Sequence, residues 1–187
     1  SGYLATHVVK QLLEKGYRVR GTVRSVKDAK KVEPLRKLVA NPRHALELVE
    51  ADLLDENSWH AAVKDCTFVV HMASPVPSSV PKDENVVIKP AVNGVLNVFK
   101  ACVDTKVKRV VLTSSLAAIT GDEFTDGKVY SESDFSDPDT AQPYTKSKIL
   151  SERAAWTFVK ERQSKGLPCF ELVVLNPGVI LGPVLHD

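Results

Sequence analysis

Tyr144 and Lys148 stand four residues apart at the head of a long amphipathic stretch, Tyr144 to Lys165. On a helix that spacing puts both side chains on one face. An ammonium beside a phenol favours the phenolate. That brings a group titrating at about 10 toward a pH where it exchanges protons with a substrate hydroxyl or carbonyl. Ser114-Ser115 follow an apolar run, Val107 to Thr113, and precede a polar loop, Gly121 to Gln142, that delivers the chain to Tyr144. A carbonyl under reduction gathers negative charge on oxygen as hydride reaches carbon, so it needs a donor to hold that oxygen and an acid to protonate it. Ser115 suits the first task and Tyr144 the second, while Lys148 supports Tyr144 and grips a nicotinamide ribose. Tyr-x-x-x-Lys alone is usually a solvated helix face. The serine at a strand end ahead of it makes the chemical reading the better one.

The elements that must position these residues alternate along the chain. Leu4, Val8, Val9, Leu12 and Leu13 recur with helical spacing up to Gly16. Tyr17 to Val23 alternates as a strand, Asp28 to Leu38 reads as a charged helix, and Leu46 to Val49 as a second strand. Asp55 caps a short helix through Val63, and Cys66 to Met72 is apolar enough for a strand buried on both faces. A helix over Glu84 to Thr105, the strand Val107 to Thr113, the helix from Tyr144 and a last strand, Cys169 to Leu175, complete the series. Strands alternating with helices demand a parallel sheet with helices on both faces. We therefore expect an α/β, doubly wound domain over residues 1–187. The chain opens in the middle of a turn, which predicts a fragment lacking its first strand and a carboxyl-terminal substrate region.

In such a fold, ligands lie at the carboxyl ends of the strands. Ser1-Gly2-Tyr3-Leu4 opens the first helix, where a glycine and backbone N–H groups can approach a pyrophosphate. Arg24 ends the next strand, where the adenosine ribose lies. An acidic residue there would bind a 2′-hydroxyl; Arg24, with Lys30 and Lys31 nearby, suits a 2′-phosphate and so NADPH. Asp52 is placed to receive the adenine amino group and Leu53 to lie along the ring, although Asp52 serves equally as a turn cap. Ala73 and Ser74 are small enough to let a cofactor pack on backbone. Pro177 and Val179, after the last strand, can border the nicotinamide or simply form a turn.

Bulk properties narrow the class further. A net charge of +2 gives no case for nucleic acid or an anionic membrane, and no apolar run in the sequence is read as approaching the roughly 20 residues of a span. Cys66, Cys102 and Cys169 are scattered and odd in number, as expected for buried free thiols in a reducing, cytoplasmic setting. No Cys/His spacing forms a metal site, and the five histidines are read as structural or surface groups. The expected partner is a small carbonyl or alcohol substrate, with the protein a monomer or homodimer.

Several motifs, in order, resemble the extended short-chain dehydrogenase/reductase family, within the NAD-dependent epimerase/dehydratase superfamily. They are Ser1-Gly2-Tyr3-Leu4-Ala5, Gly21-Thr22-Val23-Arg24, Ala51-Asp52-Leu53, Val70-His71-Met72-Ala73-Ser74-Pro75, Thr113-Ser114-Ser115, Tyr144 to Lys148 and Asn176-Pro177-Gly178. The nearest likeness is to the dihydroflavonol reductase-like branch, with its cinnamoyl-CoA and methylglyoxal reductases. The resemblance implies a Rossmann-like fold, NADP(H), and a Ser115-Tyr144-Lys148 mechanism. It also implies that Arg24 and Lys31 contact the 2′-phosphate and that Met72 belongs with Ala73 and Ser74 at the cofactor. The chain departs from the family in having Thr120 where flavonoid reductases carry Asn, Gln142-Pro143 ahead of Tyr144, and Ala91 at a position that often supplies Asn. Asn93 and Asn97, nearby, are left without a role. An epimerase or dehydratase of the same fold, or a non-catalytic dinucleotide binder, is the competing expectation.

Overall fold

The computed structural model describes residues 2–185. Eleven elements follow in order among them: α1 (Tyr3–Glu14), β1 (Arg20–Val23), α2 (Ala29–Arg36), β2 (Glu47–Glu50), α3 (Glu56–Val63), β3 (Phe68–His71), α4 (Asn85–Asp104), β4 (Arg109–Thr113), α5 (Ala117–Thr120), α6 (Pro143–Ser164) and β5 (Glu171–Leu175). The helices stop where sequence chemistry says they should. Gly16 and Gly166 follow α1 and α6 with φ of +78° and +63°, a left-handed conformation that suits glycine. Asp55 caps α3, its carboxylate accepting from Asn57 N at 3.1 Å.

Every strand pair is parallel. β1 pairs with β2, and β3, β4 and β5 pair in that order, so the strands form two sheets with no strand among the described residues joining them. Parallel pairing brings the carboxyl ends of β3, β4 and β5 to one edge, and those of β1 and β2 to a shared edge of their own. The catalytic and cofactor candidates all sit just past these ends or at helix starts.

The main core lies between the larger sheet and α3, α4 and α6. Phe99, Val98, Cys102, Val110 and Ile149 are fully buried, and the Phe99 ring meets Phe170 edge-on at 4.8 Å. A second, smaller cluster, Val23, Val32 and Leu35, closes the β1–β2 pair against α2. Two sequence expectations are corrected here. β3 is covered on one face only: Val69 packs on the core and His71 is buried, while Phe68 is 58% and Val70 39% exposed. Alternation, rather than burial on both faces, governs that strand. α4 has the length and mean hydropathy, 1.4, to pass for a membrane span, contrary to the reading that no segment does. Half of it is buried inside the fold, where Val87, Val95, Val98 and Phe99 are core residues. The three cysteines are free; Cys102 is buried, and burial pushes its thiol up to about 12, whereas Cys66 and Cys169 are only half-buried.

Candidate active site

α6 presents Tyr144 and Lys148 on one face. The Lys148 ammonium lies 5.7 Å from the centre of the Tyr144 ring. Tyr144 is half-buried and Lys148 is 6% exposed. Among the described residues Lys148 makes no hydrogen bond or ion pair, and burial alone pushes it down to about 8. The aliphatic stem is buried while Nζ is not among the fully buried side-chain atoms, so the ammonium keeps some contact with water.

Ser115 leaves β4 at its carboxyl end. Its Oγ accepts from Ala117 N at 3.2 Å, which leaves the hydroxyl proton free to donate. The segment is laced to the exit of β5: Ser114 N donates to Leu175 O at 2.8 Å and Leu116 N to Pro177 O at 2.9 Å. Ser114 Oγ is buried with no partner. His71, at the end of β3, is 4% exposed, and its Nε2 is also without a partner. Burial, and secondarily the charge of Lys148, pushes the imidazole down to about 4. The histidine is thus a neutral, buried group, as the structural reading of it expected.

The cofactor candidates are spread along the strand ends. Arg24 is exposed just past β1, with no hydrogen bond or ion pair among the described residues. Lys31 is exposed on α2 and its nearest charged partner is Asp28, at 3.5 Å; nothing links it to Arg24. The turn between them is anchored by Glu50, whose carboxylate accepts from Val26 N at 2.9 Å. Asp52 performs the turn-capping job: Oδ1 accepts from Leu54 N at 2.9 Å. Met72 and Ser74 are half-buried and Ala73 is exposed in the loop after β3. Pro177 is half-buried and its O accepts from Leu116 N, whereas Val179 is 90% exposed. Gly2 caps α1 with extended backbone, and a Cβ there would meet open space. The His7 ring bonds Pro183 O at 2.9 Å, so the segment after β5 comes back to the start of α1, near Tyr3 and Leu4. Ser1 lies outside the described residues.

The model for the family described as NAD dependent epimerase/dehydratase matches residues 1–186. The chain belongs to the NAD-dependent epimerase/dehydratase family. It is 40% identical over 193 residues to cinnamoyl-CoA reductase CAD2 of Medicago truncatula, covering 100% of this chain and 57% of that protein. Against a dihydroflavonol 4-reductase of Dianthus caryophyllus the figures are 38% identity, 99% of this chain and 51% of the relative. Among solved structures, yeast methylglyoxal/isovaleraldehyde reductase Gre2 complexed with NADPH superposes with a TM-score of 0.81 at 30% identity, over 98% of this chain and 57% of that one. The chain spans about half the length of the curated relatives it matches. Its α/β fold is Rossmann-like, as the alternation of elements predicts.

Within this family member, Asp122, Gly94 and Glu152, which sequence reasoning passed over, and Asn97, which it left without a role, hold the site's elements in place. Asp122 caps α6 from a distance: its carboxylate accepts from Gln142 N at 2.7 Å and from the Thr145 hydroxyl. Asn97, buried on α4, donates to Leu53 O at 2.9 Å, and a Cβ on Gly94 would stand 2.6 Å from Leu53 Cδ2, so α4 is fitted to the loop after β2. Glu152, 4% exposed on α6, accepts from Asn176 Nδ2 at 2.8 Å. Only Glu152 carried a readable signal, since it continues the four-residue spacing of Tyr144 and Lys148. Thr120 hydrogen-bonds locally, to Leu116 O at 3.3 Å, and Asn93 is exposed on α4.

Proposed function

We propose that residues 1–187 form the NADPH-binding domain of a reductase acting on an aldehyde or ketone, with Ser115, Tyr144 and Lys148 at the reacting carbonyl. The observation that carries this reading is Lys148, a buried side chain whose ammonium has no hydrogen-bond or ion-pair partner among the described residues and lies beside the Tyr144 ring. It fits a ribose hydroxyl and a developing phenolate. Arg24, exposed and free of protein partners at the end of β1, supports a 2′-phosphate and thus NADPH, with Lys31 adding charge once Asp28 is displaced. Gly2 with the start of α1, Asp52 and Leu53, the run Met72 to Ser74, and Pro177 with Val179 are the remaining candidates to line the cofactor. The Gre2 neighbour, crystallised with NADPH, and the reductase relatives support the same assignment.

When bound, NADPH supplies hydride to the carbonyl carbon. The chain's own groups manage charge and protons. The free hydroxyl proton of Ser115 holds the carbonyl oxygen, and Tyr144 gives that oxygen its proton. Lys148, positive below about pH 8, favours the phenolate left behind. The three free thiols support a reducing, cytoplasmic setting.

The test is NADPH absorbance followed with the full-length protein against a panel of small aldehydes and ketones. Consumption that tracks a carbonyl, and stronger use of NADPH than NADH, is the expected result. Tightly held NAD with no net consumption would instead indicate epimerase chemistry.

A further inference from the structure

We propose that Glu152 and Asn176 are positioning residues that fix Ser115 against the Tyr144–Lys148 face; the inference rests on the reading of Ser115 as the group that holds the carbonyl oxygen. Asn176 Nδ2 donates at once to Ser115 O, at 3.1 Å, and to Glu152 Oε2, at 2.8 Å. The second carboxylate oxygen of Glu152 accepts from Trp156 Nε1 at 3.3 Å. One side-chain amide therefore ties the exit of β4, the exit of β5 and α6 together at a single point. Glu152 sits one turn beyond Lys148, which sits one turn beyond Tyr144, so the tie is made on the face that carries the chemistry.

The energetics favour a positional role. A carboxylate that is 4% exposed, satisfied by two neutral N–H donors and by no ion pair, is a costly way to join elements that already share an apolar core. An apolar residue on that face would pack as well. What the carboxylate adds is direction. It orients the Asn176 amide, leaving the second N–H aimed at Ser115 O. Ser115 O also accepts from Ala118 N at 3.0 Å, a local bond to the short α5, and Ser114 N and Leu116 N bond to 175 and 177; the Asn176 amide is the one side chain among the described residues that ties Ser115 to α6. Misplacing a hydroxyl by about 1 Å from the reacting oxygen costs about 100-fold in rate.

The experiment compares Glu152→Gln and Asn176→Ser, each alone and in a Ser115→Ala background, in the full-length protein. We expect each single variant to lower kcat for carbonyl reduction by about 10- to 100-fold. NADPH affinity, read by fluorescence titration, stays within about 3-fold. Backbone amides at 114–118 exchange faster in the variants without cofactor, a readout independent of turnover. In the Ser115→Ala background neither substitution lowers kcat further, because both act through Ser115. Full kcat in the single variants, or a loss that multiplies with that of Ser115→Ala, overturns the proposal while leaving the reductase reading intact. Normal kcat in Ser115→Ala alone overturns the proposal together with the role given to Ser115. Should Glu152→Gln fail to fold, Asn176→Ser, altered at a half-buried turn, carries the same comparison.

Discussion

Lys148 is the residue on which the proposed chemistry turns. A lysine pushed down to about 8 by burial is charged at neutral pH and loses its charge in the mildly alkaline range. Its charge supports Tyr144 only below that value, so kcat/KM should fall as pH rises through about 8 in the free enzyme. Lys148→Arg retains charge to far higher pH, and the falling limb should move up with it. A limb that stays in place in the arginine variant would mean that another group sets the profile. The residue scale also shows where spacing is enough and where it is not. Tyr144 and Lys148 were legible because a helix guarantees that i and i+4 share a face. Asp122 was not, because a carboxylate in a polar loop gives no sign of which helix end it will reach.

At the scale of elements, α6 is the part that must be aimed. Its own N-cap residue, Gln142, makes no side-chain cap, and Asp122 does the work from the preceding loop. Asp122→Ala should cost about 1 kcal/mol of stability, as lost caps do. It should also lower kcat more than it raises the KM for cofactor, since Tyr144 sits in the first turn. Urea unfolding and steady-state kinetics check the two arms, and unchanged kcat with lowered stability would confine Asp122 to a structural role. Element order and type were readable because apolar runs and periodic stretches alternate. The edges were less so: Tyr17 to Val19 and Cys66-Thr67 read as strand, yet the ladders begin at Arg20 and Phe68. α5 escaped notice because four residues carry no period. The reading of β3 as buried on both faces failed for a related reason. An apolar sequence states what a strand tolerates, and only packing states which face is covered. The bond from Asn97 to Leu53 joins residues far apart in the chain, so no local signal announces it.

For the molecule as a whole, His71 Nε2 and Ser114 Oγ, buried beside the larger sheet, have no hydrogen-bond partner among the described residues, and such groups cost stability. His71 stays neutral in the folded chain down to about pH 4, while an unfolded imidazole takes its proton near 6.5. Between these values the unfolded chain binds more protons, so stability is complete above pH 6.5 and is lost as pH falls toward 4. The loss attributable to His71 is on the order of 3 kcal/mol. Chemical denaturation at pH 7 and pH 4.5 should show a steeper acid loss in the wild type than in His71→Gln. Equal losses would place the acid sensitivity elsewhere.

The account as a whole depends on Tyr144 acting as the proton donor beside Lys148. The most direct measurement is single-turnover oxidation of bound NADPH by a reactive aldehyde in Tyr144→Phe, with NADPH binding measured on the same preparation. Binding within about 3-fold of wild type, with the chemical step slowed by about 100-fold or more, is the predicted result. A chemical step at the wild-type rate in the phenylalanine variant would contradict it.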